Sequence, residues 1–286
     1  EGMTALIEAR GLTQRFGDFT AVDDVSLHVD AGEVVGLLGA NGAGKTTTIR
    51  MLLGLARPTA GEALLDGSPP TRQSRRRLGY VPQGLGLYAE LTVSENLAFA
   101  AQAFGCAPAQ LDGALADEAD SLVASLPLGL RRQLAFLCAL QHSPDVLVLD
   151  EPTSGVEPLA RARLWDRIRS QADSGVGVLV TTHYMEEARQ CDRLLLMSDG
   201  RLVAQGSEQD IVDGTRTVAV HADDWARLFE VLSTAGMAVN LAGRDVRVID
   251  PDEERLRTAL EQAGITATVT EVAPTIEERM TMLARR

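Results

Sequence analysis

Cysteine is scarce and scattered. The 3 cysteines, Cys106, Cys138 and Cys191, form no CxxC pair, which argues against a zinc site or a disulfide framework and for thiols in a reducing compartment. Basic charge is short as well. Against 40 Asp and Glu stand 27 Lys and Arg, and the formal charge of -13 has the wrong sign for gripping a nucleic-acid backbone. No nucleic-acid partner is expected. The densest basic run, "RQSRRR" from Arg72 to Arg77, reads as a solvated turn or helix face. Long apolar runs are also missing: no stretch approaches the ~18 uninterrupted apolar residues of a membrane span, and the start lacks a signal-peptide pattern. A soluble, cytoplasmic chain is expected, with any membrane role reached through a partner. Glu1 and Gly2, ahead of Met3, read as a remnant of expression.

What is present is a globular composition, 45% hydrophobic over 286 residues, enough for one full domain and a smaller second. The apolar runs "VVGLLG" (34 to 39), "VLVLD" (146 to 150) and "VGVLVTT" (176 to 182) are continuous rather than alternating. Strands of that kind are covered on both faces, as in a parallel sheet flanked by helices, so the class is α/β. Upstream, "LIEARGLTQRF" and "TAVDDVSLHVD" alternate more, which predicts an antiparallel pair around a "GD" turn. Asp199-Gly200 predicts a hairpin. Past about Gly214 the pattern runs β-α-β-β-α-β, a small α+β ferredoxin-like domain. The division is therefore 3–213 and 214–286.

The chemistry starts at "GANGAGKTTT", Gly39 to Thr48. Gly39, Gly44, Lys45 and Thr46 fit the pattern GxxxxGK followed by Ser or Thr, between a strand and a helix. Gly39, Gly42 and Gly44 let backbone N–H groups turn inward, the helix amino end adds partial positive charge, and Lys45 adds a full one. The loop suits a polyphosphate, and the Thr46 hydroxyl suits Mg2+. Downstream, "VLVLDEP" ends a buried strand in Asp150, suited to Mg2+, followed by Glu151, suited to polarising an attacking water. A carboxylate there favours hydrolysis over transfer to a second substrate, and no N-K-x-D guanine-reading motif is present. "LVTTH" sets His183 at the end of the next strand, where a parallel sheet presents ligand-facing residues.

Taken in order, these residues resemble the nucleotide-binding subunit of the ATP-binding cassette (ABC) transporters, over roughly residues 4 to 213. Phe16 matches the aromatic that stacks on adenine, and Gly39, Asn41, Gly42, Ala43, Gly44, Lys45, Thr46 and Thr47 match the Walker A loop. Gln83 in "YVPQ" matches the Q-loop, which also serves the metal. Asp150 and Glu151 match Walker B, "SGVEP" the D-loop, and His183 the switch histidine. The resemblance implies a P-loop NTPase cassette: a parallel-sheet core, an antiparallel N-terminal β subdomain and a helical subdomain. It implies ATP and Mg2+ as ligands, with Lys45, Glu151 and His183 catalytic and Thr46, Gln83 and Asp150 near the metal. It also implies a dimer, with itself or a second cassette, that drives an integral-membrane permease from the inner face of the cell membrane. The phrases "EPTSGVEPLAR" and "TTHYMEEARQCDRLLLMSDGRLVAQG" are similar to ATPases of ABC-2 type exporters of drugs, antibiotics or lipids. Apolar Leu87, Tyr88 and Leu91 lie where the family docks its membrane partner.

The sequence departs from the family at the signature that faces the second ATP of a dimer. "LPLGL" puts Pro127 in place of the serine and Leu128 in place of the first glycine, keeping Gly129. Proline removes a hydroxyl and an N–H, yet is comfortable in a helix's first turn. Glu157 replaces the D-loop aspartate, and the stretch from Gly105 to Leu126 is short for the helical subdomain. Two other readings stand beside the transporter: a nucleotide-sensing, weakly hydrolytic cassette paired with a consensus partner, and a soluble ABC ATPase unconnected with transport.

Overall fold

The computed structural model describes residues 5–283. Glu1 to Met3, including the remnant read from sequence, lie outside the described residues. The chain divides into two compact units, Glu1–Gln205 and Gly206–Arg286.

The first unit carries two sheets. The smaller is antiparallel, built from β1 (Ile7–Phe16), β2 (Phe19–Val29) and β4 (Ala60–Leu65) in the order β2-β1-β4. β1 and β2 close on each other at Phe16↔Phe19 across Gly17 and Asp18, the turn predicted from sequence. The larger sheet has β3 (Val34–Leu38), β5 (Leu78–Val81), β6 (Val146–Asp150), β7 (Gly177–Thr182), β8 (Arg193–Ser198) and β9 (Arg201–Gly206), in the order β5-β6-β7-β3-β8-β9. β5, β6, β7, β3 and β8 run parallel. β9 returns from β8 through Asp199 (φ 48) and Gly200 (φ 79), both left-handed as a tight hairpin of this kind requires.

Every residue of β3, β6 and β7 is buried, because both faces are covered. On one side lie α1 (Lys45–Leu52) and the small sheet, which share a core of Ile7, Leu12, Val25, Leu37, Ile49 and Leu52. On the other, α4 (Leu128–Leu140) and α5 (Pro158–Asp173) pack Phe136, Leu164, Trp165 and Ile168 against Leu147, Leu149 and Val178. Between β5 and β6 the chain makes the helical segment: α2 (Val93–Phe104), the short α3 (Gly113–Asp117), and α4. α2 opens on a full capping box, with the Thr92 hydroxyl accepting from Glu95 N and the Glu95 carboxylate accepting from Thr92 N. Val93, Leu115, Val123, Leu126 and Leu134 give this segment its own core.

The second unit holds α6 (Glu208–Val212), β10 (Thr217–His221), α7 (Trp225–Thr234), β11 (Ala238–Ala242), β12 (Asp245–Ile249), α8 (Glu253–Ala263), β13 (Thr268–Val272) and α9 (Ile276–Leu283). The strands pair in the order β11-β12-β10-β13, all antiparallel. From β10 to β13 this is the β-α-β-β-α-β arrangement read from sequence. α7 and α8 bury Leu228, Leu232 and Leu256 against Val218, Val220, Val246 and Val248. On the opposite face the buried Glu278 of α9 accepts from Thr217 Oγ1 at 3.1 Å and Arg247 Nη2 at 3.0 Å. Burial alone would raise the Glu278 pKa, but Arg247, Thr275 N and Thr217 outweigh it and hold the carboxyl below its ordinary value.

Candidate active site

In a parallel sheet the carboxyl ends of the strands lie along one edge. β3, β5, β6 and β7 bring the loop from Gly39, the segment with Gln83, Asp150 and Glu151, and His183 to that edge. Neighbouring registers place Asp150 beside Thr181 and Leu38 beside Thr182. These side chains therefore meet although the sequence separates them widely.

The loop wraps the amino end of α1. Its N-cap, Gly44, is left-handed (φ 101), and a Cβ there would lie 2.6 Å from Ala21 O, so only glycine fits. No side chain caps α1, and its first turn carries no acidic residue. The free N–H groups of that turn are thus left for an anion. Lys45 is buried and donates to Gly39 O at 2.7 Å and Ala40 O at 3.1 Å. Its ammonium lies 3.8 Å from Glu151 Oε1. Burial pushes the Lys45 pKa below its ordinary value, while Glu151 and Asp150 pull it back up.

Asp150 is buried and accepts one hydroxyl at each oxygen: Thr46 Oγ1 donates to its Oδ2 at 3.0 Å and Thr181 Oγ1 to its Oδ1 at 2.7 Å. Glu151 sits in left-handed backbone at φ 50, uncommon for a residue with a side chain. Both sides of that backbone are clamped. Its N–H donates to Thr181 Oγ1 at 2.9 Å, and its carbonyl accepts from Arg132 Nη1 at 3.1 Å. Its carboxylate accepts from Gln83 Nε2 at 3.2 Å. His183 Nδ1 approaches Glu151 Oε2 at 3.4 Å, within ion-pair range, yet the angles make no hydrogen bond and the atom stays unpartnered. Around the site is a cleft of about 430 Å³ lined by Phe16, Phe19, Asn41, Lys45, Gln83 and Glu151, among others. Phe16 and Phe19 are 59% and 65% exposed beside it.

Of the residues expected from sequence, Phe16, Asn41, Gly42, Gly44, Lys45, Thr46, Thr47 and Gln83 line this cleft with Glu151. Gly39 and Ala43 support the loop from behind: a Cβ on Gly39 would lie 2.4 Å from Met197 O, and Ala43 is buried in the core. Asp150 and His183 join through the contacts above. Gly129 does not belong to this cleft. It lies in the first turn of α4, where a Cβ would touch only Ala160 Cβ at 3.8 Å. Three residues escaped the sequence reading. Thr181 stood two positions before His183 in the quoted "LVTTH", where strand alternation could have flagged it, and Phe19 faces Phe16 across the expected Gly17-Asp18 turn, where hairpin pairing could have flagged it. Arg132 carried no local signal. It is buried at the heart of α4 and also donates to Ser154 O at 2.7 Å through Nη2, and burial lowers its pKa.

The donor set is one of oxygens: the Thr46 hydroxyl, the Asp150 and Glu151 carboxylates and the Gln83 amide. Such hard ligands suit Mg2+, which keeps several waters and leans on substrate phosphates. Among the described residues no cluster of three or more His, Cys, Asp or Glu could hold a metal ion.

The ABC transporter family matches residues 22–154. Over 272 residues the chain is 40% identical to the Nod factor export ATP-binding protein I of Burkholderia lata, covering 90% of each chain. The chain belongs to the ABC transporter ATP-binding family. This cassette is also 44% identical over 218 residues to the probable multidrug ABC transporter ATP-binding protein YbhF of Escherichia coli, covering 72% of this chain and 38% of that protein. It thus spans well under half the length of that relative. Among solved structures, the ATP binding subunit of an ABC transporter matches the cassette with a TM-score of 0.65 at 32% identity, over 72% of this chain and 92% of that one.

Proposed function

We propose that this chain hydrolyses ATP and so powers export through a separate integral-membrane permease of the ABC-2 type. The observation that carries the reading is the convergence on one carboxylate. Glu151 is touched by Gln83, approached by Lys45 and His183, and held in place by Thr181 and Arg132. A carboxylate so placed takes the proton of a water attacking the terminal phosphate, while Lys45 and the first-turn amides of α1 balance charge on the phosphate oxygens. Thr46, Asp150 and Gln83 would hold Mg2+, which when bound neutralises developing phosphate charge. Phe16, with Phe19 beside it, supplies the aromatic surface for the adenine.

Export needs a docking site, and a groove of about 370 Å³ follows the Gln83 segment. Leu85, Leu87, Tyr88, Phe99 and Phe104 line it, with Tyr88 and Phe99 meeting edge-on at 4.9 Å. A permease element seated there would bear on Gln83 through the chain itself. Among the described residues no helix is long and apolar enough to cross a membrane, in keeping with a subunit held peripherally on the inner face of the cell membrane by that partner. The relative named for Nod factor export supports the direction of transport, and the one named as a probable multidrug ABC transporter supports transport itself.

The cassette is proposed to act as a dimer around nucleotide, with itself or with a second cassette. Pro127 and Leu128 favour a second reading, in which this chain senses ATP and leaves hydrolysis to a consensus partner. Glu151→Gln separates the two. The first reading expects ATP binding within a few-fold of wild type, with turnover lost to background; turnover surviving the change removes Glu151 from its role. Wild-type protein that binds ATP with no measurable hydrolysis establishes the second.

A further inference from the structure

The sheet of the second unit ends on an unprotected edge. β13 pairs with β10 in an unbroken register from Thr217↔Val272 to His221↔Thr268, and among the described residues no strand lies against its other side. Its sequence, Thr268-Val269-Thr270-Glu271-Val272, is β-branched everywhere but at Glu271, and Thr268 to Glu271 are all exposed. β-Branched residues suit a strand with neighbours, and solvent-facing edges are usually blunted by lysine, proline or a bulge. β13 carries no lysine, proline or bulge, and its one charge, Glu271, is paired with Arg216.

The face beside it is open too. Val269 and Glu271, opposite Val220 and Val218, lie on the side of the sheet covered by α7 and α8. There α8 leaves a groove of about 650 Å³, floored by Val218, Leu256, Leu260, Ile265 and Val269. Val269 remains 47% exposed.

We propose that β13 pairs with β13 of a second copy of this chain, antiparallel about a two-fold axis at Thr270, joining two four-stranded sheets into one. The strand's own sequence selects that occupant. Centred on Thr270, the register sets Thr270 against Thr270, Thr268 against Val272 and Val269 against Glu271, so the whole strand is used and no charge meets its like directly. Threonine pairs are favourable across strands, whereas a register centred on Glu271 would set carboxylate against carboxylate. Glu271 is already held by Arg216, Nε to Oε1 at 3.2 Å, and brings no unpaired charge to the seam. On the groove wall, Arg257 and Glu261 lie one turn apart on α8, and the two-fold axis reverses their order. The cation of one copy is thereby matched with the anion of the other. This contact needs no nucleotide and none of the signature residues. It is independent of the functional reading above.

The test places a cysteine on the axis of the full-length chain. With Thr270→Cys the residue meets its own copy, and cross-strand Cα atoms ~4.5–5.5 Å apart permit a disulfide. Under mild oxidation without nucleotide, Thr270→Cys gives a covalent dimer of twice the 30.6 kDa chain mass. Wild type, with its native thiols, and Thr268→Cys, whose register partner is valine, do not. By light scattering without ATP the unmodified chain has the dimer mass and Thr270→Asp the monomer mass, position 270 being exposed and tolerant of the change. A monomeric unmodified chain, a dimer that survives Thr270→Asp, or equal cross-linking at 268 and 270 overturns the proposal.

Discussion

Two helices of this cassette begin at stretches that the family uses to read phosphate, and they begin differently. α1 starts from Gly44, left-handed and without a side-chain cap, and is followed at once by Lys45. α4 starts from Pro127, also without a side-chain cap, and is followed by Leu128. Leu128 leans on the D-loop, where a Cβ on Gly155 would lie 3.1 Å from its Cδ2. A helix amino end is an anion site only where the neighbouring residues leave its amides open and add donors. The first end does both, while the second replaces a hydroxyl and an amide with apolar bulk. On the proposed function, the α1 end is thus furnished as an anion site in a way that the α4 end is not.

The sharpest way to break this contrast is to disable the better end. Lys45→Ala removes a charged donor worth about 1.5–3 kcal/mol, so ATP affinity should fall roughly 10- to 150-fold, measured by calorimetry. A loss of only two-fold would mean that the α1 amides suffice alone. Arg132→Gln comes next, because Arg132 ties the α4 end to the segment that follows β6, donating to the carbonyls of Glu151 and Ser154. Turnover should drop on the order of tenfold with ATP affinity unchanged, since the guanidinium positions Glu151 and does not face the cleft. A matched loss of affinity would show that it shapes the nucleotide site itself. Pro127→Ser combined with Leu128→Gly repairs the weaker end. One regained hydrogen bond of about 1–1.5 kcal/mol should raise steady-state turnover five- to tenfold, in protein concentrated enough to dimerise. Unchanged turnover would show that this end does not limit the reaction. Phe19→Ala is the mildest change: stacking worth about 1 kcal/mol predicts a roughly five-fold weaker ATP affinity, with the gap to GTP narrowing.

The loop was legible because its constraint is local: glycines, lysine and threonine must be adjacent in sequence to wrap one helix end. A parallel sheet covered on both faces was legible for a similar reason, since continuous apolar runs report burial; the order β5-β6-β7-β3-β8-β9 was not, because it is set by crossovers that leave no local pattern. The small second domain could be read from its helix stops at Gly236 and Gly264 and its paired strands around Gly243. Arg132 was not legible, because its role exists only through contacts with Glu151 and Ser154 on a separate segment. A buried arginine donating to two carbonyls looks, in sequence, like any helix arginine facing water. The signature was legible as a departure, yet only the packing of Leu128 on the Gly155 turn shows how the apolar residue is accommodated.

The left-handed backbone of Glu151 sets stability and turnover against each other at one residue. A side chain held at φ 50 costs about 1–3 kcal/mol, offset here by Thr181 on its amide and Arg132 on its carbonyl. Glycine at this position would relieve that backbone strain, against about 0.5–1 kcal/mol of added unfolded-chain entropy, while removing the carboxylate proposed to take a proton from water. On the proposed role of Glu151, selection for backbone comfort alone would act against turnover at this residue, and a stabilised variant of this cassette should be assayed for activity before it is trusted as a tool.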